Sequence, residues 1–329
     1  MPAIPPRLIV EPDDGLEPVR EFIATAQKSL LIKQFTYTEP TLIDAAIDRK
    51  KAGVDVRVML NAQRSGGDRA NDESFEQLKA AGIDVQWASP KFYVTHEKSI
   101  VVDEQAAMVA TYNLMIKYFT LTRDYGIITH DPEHVAQIVD VFNADWEHRD
   151  FTPSHHEGLL WSNSNSRYHM ARFIDTAERK LYIQHPKFVD AVILDRIAAA
   201  ADRGVRVRVL CGGKHGISDW DKLDTFSSLR TLSRFGAEVR KQKNLRVHAK
   251  LLIVDGERVL VGSMNIDRSA FDLRRELGIM TDDPVVVRRL KDVFKSDWLI
   301  SHHYEAPDPL DQTPIVEDDF PHDADLVHE

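Results

Sequence analysis

Residues 96–103 read HEKSIVVD, and residues 248–255 read HAKLLIVD. Both stretches place a lysine two positions after a histidine and an aspartate five positions after the lysine, with an apolar run between them. Such a run predicts a buried strand, on which residues two apart point to the same side. We therefore expect the histidine and lysine of each stretch to enter one site, with the aspartate at the strand end. The residues concerned are His96, Lys98, Asp103, His248, Lys250 and Asp255.

The two stretches belong to an internal repeat with an offset of 151 or 152 residues. Other segments recur at that offset: FIATA at 22–26 and FIDTA at 173–177, GVDVRV at 53–58 and GVRVRV at 204–209, and Asp145-Trp146 and Asp297-Trp298. The chain therefore contains two tandem copies of one unit, at residues 1–153 and 154–304, followed by an unrelated segment at 305–329.

Each repeat alternates helices with short apolar strands. Gly53 and Gly204 stand where a C-terminal helix cap is expected, and apolar residues alternate after each glycine as in a strand. Strands separated by helices of this length predict an α/β protein in which helices cover the sheets. The predicted helices are Val19–Lys28, Thr41–Ala52, Arg172–Arg179 and Val192–Arg203, and the predicted strands include Leu30–Ile32 and Leu181–Ile183.

Three further polar residues follow each histidine at matching positions. The turn signal Asp255-Gly256 predicts a hairpin, whose returning strand ends in GSMN at 262–265, with ATYN at 110–113 in the first repeat. A carboxylate stands 28 residues after each histidine. The added members are Thr111, Asn113 and Asp124 in the first repeat and Ser263, Asn265 and Glu276 in the second.

This set of side chains suits a phosphodiester. Two lysines and two asparagines offer convergent donors to an anion with several oxygens. Two facing histidines offer a nucleophile and an acid: a neutral imidazole attacks phosphorus, and the opposite imidazolium protonates the leaving alkoxide. Water or an acceptor alcohol then releases the phosphohistidine. With an unperturbed histidine pKa of about 6.5, a bell-shaped pH profile is expected.

The same residues argue against a metal site, because an ammonium beside each histidine disfavours a cation. The chain has no CxxC, G-x-S-x-G, P-loop or GxGxxG pattern, and its single cysteine, Cys211, has no partner for an intrachain disulfide. We therefore expect no metal and no cofactor.

The net charge of −10 is unevenly distributed along the chain. Residues 305–329 hold nine acidic residues, four prolines and no lysine or arginine, which leaves 42 basic against 43 acidic residues in 1–304. The body is nearly neutral, so its charge does not exclude a phosphate-bearing substrate. Residues 305–329 predict a disordered, solubilising tail; the alternative is a regulatory tail that competes with an anionic substrate.

The duplicated motif, with a G-S-x-N-like segment after each copy, resembles the phospholipase D superfamily over residues 1–304. The resemblance implies two tandem α/β/α units packed as a pseudo-dimer. It also implies one active site at their interface, working through phosphohistidine without a metal.

A role for each residue of the set follows from that resemblance. His96 is implied as the nucleophile and His248 as the general acid. The phosphate would be held by Lys98, Lys250, Asn113 and Asn265. The imidazoles would be oriented by Asp124 and Glu276, and the motif supported from behind by Asp103, Asp255, Thr111 and Ser263.

The first repeat departs from the family pattern, because ATYN lacks the glycine and Asp124 is shorter than Glu276. Asn165-Ser166-Arg167 and the A-x-x-R-G-V pattern ending at Gly204-Val205 are similar to the bacterial cardiolipin synthase-like branch, which normally carries N-terminal transmembrane helices. This chain shows no secretory signal and no apolar run of about 18 residues. We expect a cytoplasmic protein, with peripheral membrane association left open.

Two segments, at 61–93 and 212–245, are expected to form the mouth of the cleft. Basic residues there would hold a lipid headgroup or a nucleic acid strand, and aromatic residues would contact acyl chains or stack on bases. The alternative for the basic residues is an ordinary solvated surface, and the alternative for the aromatic residues is ordinary packing. The basic residues are Arg240, Lys241, Lys243 and Arg246, and the aromatic residues are Trp87, Phe92, Tyr93 and Trp220.

We predict a metal-independent phosphodiesterase or phosphatidyltransferase acting on phospholipids, because a nearly neutral body is a poor electrostatic footprint for a nonspecific nuclease. The expected partner is a phospholipid at a membrane surface, and no protein partner is implied. Two alternatives stay open: an endonuclease of the same superfamily that cleaves DNA or RNA, and a non-catalytic module that binds a phosphorylated ligand. Intact histidine and lysine in both repeats argue against the module.

Overall fold

Both repeats fold into the same succession of strands and helices. The computed structural model describes residues 4–64, 67–153, 158–215, 217–308 and 310. The strands of the first repeat are β1 (Arg7–Glu11), β2 (Ser29–Gln34), β3 (Asp55–Leu60), β4 (Asp84–Trp87), β5 (Ser99–Val102), β6 (Ala106–Ala110) and β7 (Thr122–Thr129). Its helices are α1 (Glu17–Ala24), α2 (Pro40–Lys51), α3 (Asp72–Ala80) and α4 (Pro132–Trp146), with a 3-10 helix at Ile116–Phe119.

The second repeat continues the numbering. Its strands are β8 (Leu159–Trp161), β9 (Lys180–Gln184), β10 (Arg206–Cys211), β11 (Glu238–Lys241), β12 (Arg246–Val247), β13 (Leu251–Val254), β14 (Arg258–Gly262), β15 (Leu277–Thr281) and β16 (His302–His303). Its helices are α5 (Ser166–Asp175), α6 (Ala191–Asp202), α7 (Asp219–Arg234), α8 (Arg268–Asp272) and α9 (Pro284–Ile300).

The strands of the described residues form two eight-stranded sheets of matching order. The first runs β1-β7-β6-β5-β2-β3-β4, and the second has the equivalent order β8-β15-β14-β13-β9-β10-β11. In the first sheet β2 and β3, which α2 joins, pair in parallel, and the hairpin strands β5 and β6 pair antiparallel. The second sheet repeats this arrangement with β9 and β10 and with β13 and β14. The predicted α/β fold of two tandem units is confirmed.

Three hydrophobic cores hold the layers together. One joins α1, α2 and α3 to the first sheet, and another joins α5, α6 and α7 to the second. The third contains strand residues of both sheets together with α4 and α9, which contribute Phe142 and Phe294. Because this core belongs to both repeats, the two halves pack as a pseudo-dimer.

The motif aspartates end the first helix of each repeat earlier than the sequence predicts. Asp103 accepts hydrogen bonds from the main-chain N–H groups of residues 27–29, and Asp255 accepts them from residues 178–180, all at 2.7 to 3.1 Å. An amide held by a carboxylate is not available for the next helical hydrogen bond. Helix α1 therefore ends at Ala24 and α5 at Asp175, and the predicted extension of these helices to residues 28 and 179 is wrong.

Short strand segments of each repeat pair with strands of the other repeat. Strand β12 of the second repeat pairs in parallel with β7 of the first, so that Val247 lies opposite Arg123. At the equivalent place Thr95 of the first repeat bridges Arg275 of the second, and the N–H of His96 donates to the Arg275 carbonyl at 2.9 Å. The two halves thus exchange main-chain hydrogen bonds beside both motif histidines.

Next to these segments, an arginine of each repeat binds an aspartate of the other. Arg123 contacts Asp297 through Nε at 2.9 Å and Nη2 at 3.0 Å, and Arg275 donates to Asp145 at 2.7 Å. All four side chains are buried. We call these two pairs the Arg–Asp clamps. The repeated Asp-Trp dipeptide of the sequence supplies their acids.

Only the start of the acidic segment lies within the described residues. Arg230 of α7 donates to the carbonyl of Ala306 and to Asp308, both at 3.2 Å. The expected disorder of the tail falls almost wholly outside the described part of the chain. Among the described residues, no helix has both the length and the apolar character needed to cross a membrane.

Replacing Asp145 with asparagine tests one clamp without changing its shape. Asp145 also binds Lys33 at 2.8 Å, so the substitution leaves Arg275 without its carboxylate and leaves Lys33 with Glu97. We therefore expect the free energy of unfolding to fall by about 3–5 kcal/mol in urea denaturation. Asp140→Asn, at an exposed position on the same helix, is the control and should change it by less than about 0.5 kcal/mol. Equal effects of the two substitutions would contradict a stabilising clamp.

Candidate active site

The histidines, lysines and carboxylates of the duplicated set face one another at the junction of the two repeats, and the two asparagines lie buried after the neighbouring strands. Each repeat contributes its histidine and lysine before β5 or β13, its asparagine after β6 or β14, and its carboxylate in or next to β7 or β15. Every one of these side chains belongs to a residue no more than 7% exposed. The residues are His96, Lys98, Asn113, Asp124, His248, Lys250, Asn265 and Glu276.

The carboxylate that holds each imidazole comes from the other repeat. His96 Nδ1 lies 2.9 Å from Glu276 Oε2, and His248 Nδ1 lies 2.7 Å from Asp124 Oδ1. The sequence left open which carboxylate faces which histidine, and the structure crosses the pairs. Neither repeat alone contains a complete histidine–carboxylate pair, so the site requires both.

With Nδ1 engaged, the Nε2 atom of each imidazole is left for chemistry, and the two Nε2 atoms differ. Within the described residues, His96 Nε2 is buried and makes no hydrogen bond. His248 Nε2 lies 2.9 Å from Lys250 Nζ. The pseudo-symmetric set is therefore unequal: one imidazole presents an open nitrogen, and the other has its nitrogen beside an amine.

An aromatic ring packs on each imidazole. Phe35 meets His96 edge-on with ring centroids 4.8 Å apart, and Tyr118 lies 4.7 Å from His248. Lys98 Nζ donates to the main-chain carbonyl of His96 at 2.7 Å and lies 5.2 Å from the Phe35 centroid. These contacts restrict the rotation of both imidazoles.

Burial lowers the pKa of both histidines. The pKa of His96 lies well below its usual value because the ring is buried and faces the cations Lys98 and Arg274. Burial lowers the pKa of His248 to about 3; Asp124 opposes this shift and Lys250 adds to it. These protein groups alone keep both imidazoles neutral at pH 7. The expectation from sequence used the unperturbed pKa of about 6.5 and did not include this burial.

The two carboxylates differ in protonation. Burial by itself raises the pKa of Asp124, but His248 and Lys250 more than offset this effect, and the pKa lies below its usual value. Burial raises the pKa of Glu276 to about 7, against the positive charges of Lys98 and Arg274. Asp124 is thus ionised at neutral pH, whereas Glu276 is close to half-protonated.

The backbone of the first repeat accommodates its departure from the G-S-x-N pattern. A Cβ on Gly262 would lie 2.6 Å from the Cα of Gly278 on the neighbouring strand. The equivalent strand pair of the first repeat sets Ala110 opposite Gly126. Both strand pairs set a glycine of the partner strand opposite this position, and the first repeat carries an alanine there.

The hydroxyl and aspartate members of the set act on the backbone. Thr111 and Ser263 accept hydrogen bonds from main-chain N–H groups of β7 and β15 at 2.9 and 3.1 Å, and Thr111 also donates to Asp124. Asp103 and Asp255 bind the amides described above, at the far ends of β5 and β13. These aspartates therefore fix the strands and do not contact the site.

Two buried residues beside the lysines were not predicted from the sequence. Gln34 is the last residue of β2, and His185 directly follows the last residue of β9. Each lies one position beyond the last residue pair of its strand, Lys33 with Ser99 or Gln184 with Leu251, on the side of Lys98 or Lys250. Both are fully buried, and neither amide atom of Gln34 has a hydrogen-bond partner within the described residues. Burial, with Lys250 adding to its effect, lowers the pKa of His185 to about 3. The repeat offset of 151 residues is the signal that would have paired them.

The mouth aromatics are mostly committed to packing. Trp87 stacks on a phenylalanine of α3 with ring centroids 4.1 Å apart, and the Phe92 ring lies 4.2 Å from the guanidinium of Arg275. Tyr93, in contrast, is 61% exposed. The side chain of Trp220 lies outside the described part of the chain.

Of the four basic residues at the end of the second mouth segment, two are packed in the structure and two reach the surface. Arg240 lies over the Trp298 ring at 4.9 Å, and Lys241 is buried. Lys243 and Arg246 reach the surface. Half of the predicted basic surface is therefore structural.

Comparison with known proteins agrees with the duplicated architecture. A family model described as "Cardiolipin synthase, PLD-like domain" matches the chain twice, at residues 19–146 and 170–298. Each match falls within one structural repeat.

One curated relative is the major cardiolipin synthase of Bacillus subtilis, 27% identical over an alignment of 314 residues that covers 83% of this chain and 64% of that protein. The chain spans just under two thirds of the length of such relatives. Among solved structures, phosphatidylserine synthase from Haemophilus influenzae has a TM-score of 0.74 at 15% identity and covers 92% of this chain and 89% of its own. Polyphosphate kinase from Porphyromonas gingivalis also reaches 0.74, at 16% identity, covering 92% of this chain and 48% of its own. These structures share the fold.

The lowered histidine pKa predicts how stability depends on pH. A histidine that binds its proton less readily when folded costs stability as the pH falls below about 6.5, because the unfolded chain takes up the proton first. His248→Asn should therefore reduce the slope of unfolding free energy between about pH 4.5 and 6 by on the order of 1 kcal/mol per pH unit. The exposed His303→Asn is the control. Equal slopes for wild type and His248→Asn would contradict a buried, neutral imidazole.

Proposed function

The chain belongs to the family of cardiolipin synthase, phospholipase D-like (PLD-like) domains, and from that premise we propose that it transfers phosphatidyl groups through a phosphohistidine. The curated relatives are named for the synthesis of cardiolipin, a lipid in which one glycerol joins two phosphatidyl groups. Its formation from other phospholipids requires that a phosphodiester bond be broken and another be made. The residues of the junction offer a nucleophile, an acid and four donors for that exchange.

The unequal pair of imidazoles carries this proposal. His96 is neutral, its Nδ1 is held by Glu276, and its Nε2 makes no hydrogen bond within the described residues. When Glu276 is ionised it accepts the Nδ1 proton, which leaves the lone pair on Nε2. A neutral imidazole with an open, buried nitrogen is the better nucleophile of the two.

His248 is the proposed general acid. Its Nδ1 faces the ionised Asp124, and Lys250 lies beside its Nε2. A phosphodiester placed between the two imidazoles adds negative charge, which favours the protonated ring and offers the lysine an anionic partner. Substrate binding should therefore be accompanied by proton uptake at His248.

The two proposed steps balance in atoms and protons. In the first, a bond forms between His96 Nε2 and phosphorus, the bond from phosphorus to the leaving oxygen breaks, and His248 gives its proton to that oxygen. In the second, an acceptor hydroxyl gives its proton to His248 and attacks phosphorus, and the bond to His96 breaks. A second phosphatidylglycerol as acceptor gives cardiolipin, and water gives phosphatidic acid.

Four donors are proposed to bind the phosphate oxygens. Lys98 and Lys250 directly precede the strands β5 and β13, and Asn113 and Asn265 follow the neighbouring strands of each repeat. Donors fixed before reaction stabilise charge that develops on the oxygens in the transition state. The unpartnered amide of Gln34, one position beyond the pair of Lys33 with Ser99 and on the side of Lys98, is available to the same ligand.

The test supplies phosphatidylglycerol labelled in its phosphate, in the presence of EDTA, and follows both lipid products and protein-bound label after quenching in alkali. We expect turnover and a transient label on His96. His96→Asn should abolish the label and lower turnover by about a thousandfold or more, whereas His248→Asn should slow both steps. The exposed His303→Asn is the control and should retain both signals.

Three outcomes would count against the proposal. Label on His248 would reverse the two roles. Loss of all turnover in EDTA would contradict the histidine mechanism. Cleavage of single-stranded DNA or RNA in a parallel assay, without turnover of phosphatidylglycerol or phosphatidylcholine, would replace the lipid by a nucleic acid.

A further inference from the structure

We infer that the mouth of the site is a docking surface for anionic phospholipid bilayers, formed by an apolar rim of Leu121, Leu273, Tyr93 and Ile116. The inference rests on the proposed function, because it assigns the surface through which the site would reach its lipid. Each of these four residues is between 44% and 61% exposed.

Two of the rim residues occupy the same place in each repeat. Leu121 and Leu273 lie 152 residues apart, and each stands three positions before the carboxylate of a crossed pair, Asp124 or Glu276. Each exposed leucine is therefore followed, three positions later, by a buried carboxylate that binds an imidazole.

The cross-repeat strand pairs place further residues beside these leucines. The N–H of Tyr93 donates to the carbonyl of Leu273 at 2.9 Å, and Tyr93 itself stands three positions before His96. In the other pair, the N–H of Arg246 donates to the carbonyl of Leu121 at 3.0 Å. The rim thus follows both segments that lead into the site.

Ile116 joins the rim through the 3-10 helix. It is the first residue of that helix, and two positions later Tyr118 packs on His248. The short helix therefore lies against the second imidazole with its isoleucine facing water.

Cations accompany the apolar rim. In the described segments 116–121, 243–246 and 268–274, the single surface carboxylate is Asp272, which Arg167 holds at 2.7 and 2.8 Å. This part of the surface is positive on a chain whose net charge is −10. Anionic lipid headgroups attract such a cluster. The cations of these segments that reach the surface are Lys117, Lys243, Arg246 and Arg268, whereas Arg274 faces the site.

Aliphatic rim residues favour a bilayer over a nucleic acid strand. Leucine and isoleucine gain by leaving water for the lipid interface, whereas single-stranded nucleic acids stack their bases on aromatic rings, of which this rim has only Tyr93. Scattered exposed apolar residues are common on any protein, and Leu223 in α7 and Leu299 in α9 are examples here. The rim differs from them by its place around the site.

The test measures partition of the protein, residues 1–329, onto vesicles of phosphatidylcholine mixed with phosphatidylglycerol. The double variant Leu121→Asp with Leu273→Asp should lower the partition coefficient at least about tenfold. Leu299→Asp, at a position 80% exposed, is the matched control and should change it less than about twofold. Equal losses in the two proteins, or no loss in the double variant, would overturn the inference.

A soluble short-chain phosphatidylglycerol, used below its micelle concentration, separates docking from chemistry. The double variant should turn it over at the wild-type rate while losing turnover of vesicle lipid. Loss of both activities would place the leucines in the reaction site and overturn the inference. If the wild type turns over no lipid yet binds vesicles through the two leucines, the proposed function fails and the docking surface stands.

A second pair of variants avoids introducing charge. The one cysteine of the chain, Cys211, is buried, so Leu273→Cys and Leu299→Cys can each be labelled with a polarity-sensitive dye. Vesicles containing phosphatidylglycerol should shift the emission of the dye at 273 to the blue and leave the dye at 299 unchanged. No shift at 273, or the same shift produced by a single-stranded oligonucleotide alone, would contradict a lipid surface.

Discussion

Two hydrogen bonds that cross between the repeats, His96 to Glu276 and His248 to Asp124, constrain the rest of the structure. They form only when the two halves are held in one relative position, because each bond takes one partner from each half. The shared core, the cross-repeat strand pairs and the Arg–Asp clamps supply that position. The packing of the whole chain is thereby linked to the orientation of two imidazole rings.

Much of this architecture could be predicted from the sequence, because duplication makes a weak pattern specific. A single histidine–lysine–aspartate spacing arises by chance on the order of a few per cent of the time in a chain of this composition. Two copies at the repeat offset are far more specific, and they indicated the fold, the family and the buried strands. The same offset identified Thr111, Asn113 and Asp124 as site candidates, because equivalent polar residues stand at the matching positions of the second repeat. Applied to the strand ends, it would also have paired Gln34 with His185.

Other features are determined by tertiary contacts and could not be predicted from the spacing of residues along the chain. Asp124 and Glu276 follow the histidines of their own repeats by 28 residues, yet each binds the other repeat's histidine, since β12 adds to β7 across the interface. Helix α1 ends early because a carboxylate 79 positions beyond Ala24, Asp103, takes the amides that follow. The lowered histidine pKa reflects burial, which periodicity did not reveal.

The crossing of the pairs is tested most directly by double-mutant cycles on the free energy of unfolding. One cycle combines substitutions at His96 and at Glu276, and another combines substitutions at His248 and at Asp124. Each should give a coupling energy of about 1–3 kcal/mol, because the two side chains of each pair share a buried hydrogen bond. The pairs within one repeat, His96 with Asp124 and His248 with Glu276, should give smaller coupling energies than the pairs across repeats, because each Nδ1 is held by the carboxylate of the other repeat. Strong coupling within the repeats, with additivity across them, would contradict a site built jointly by both halves.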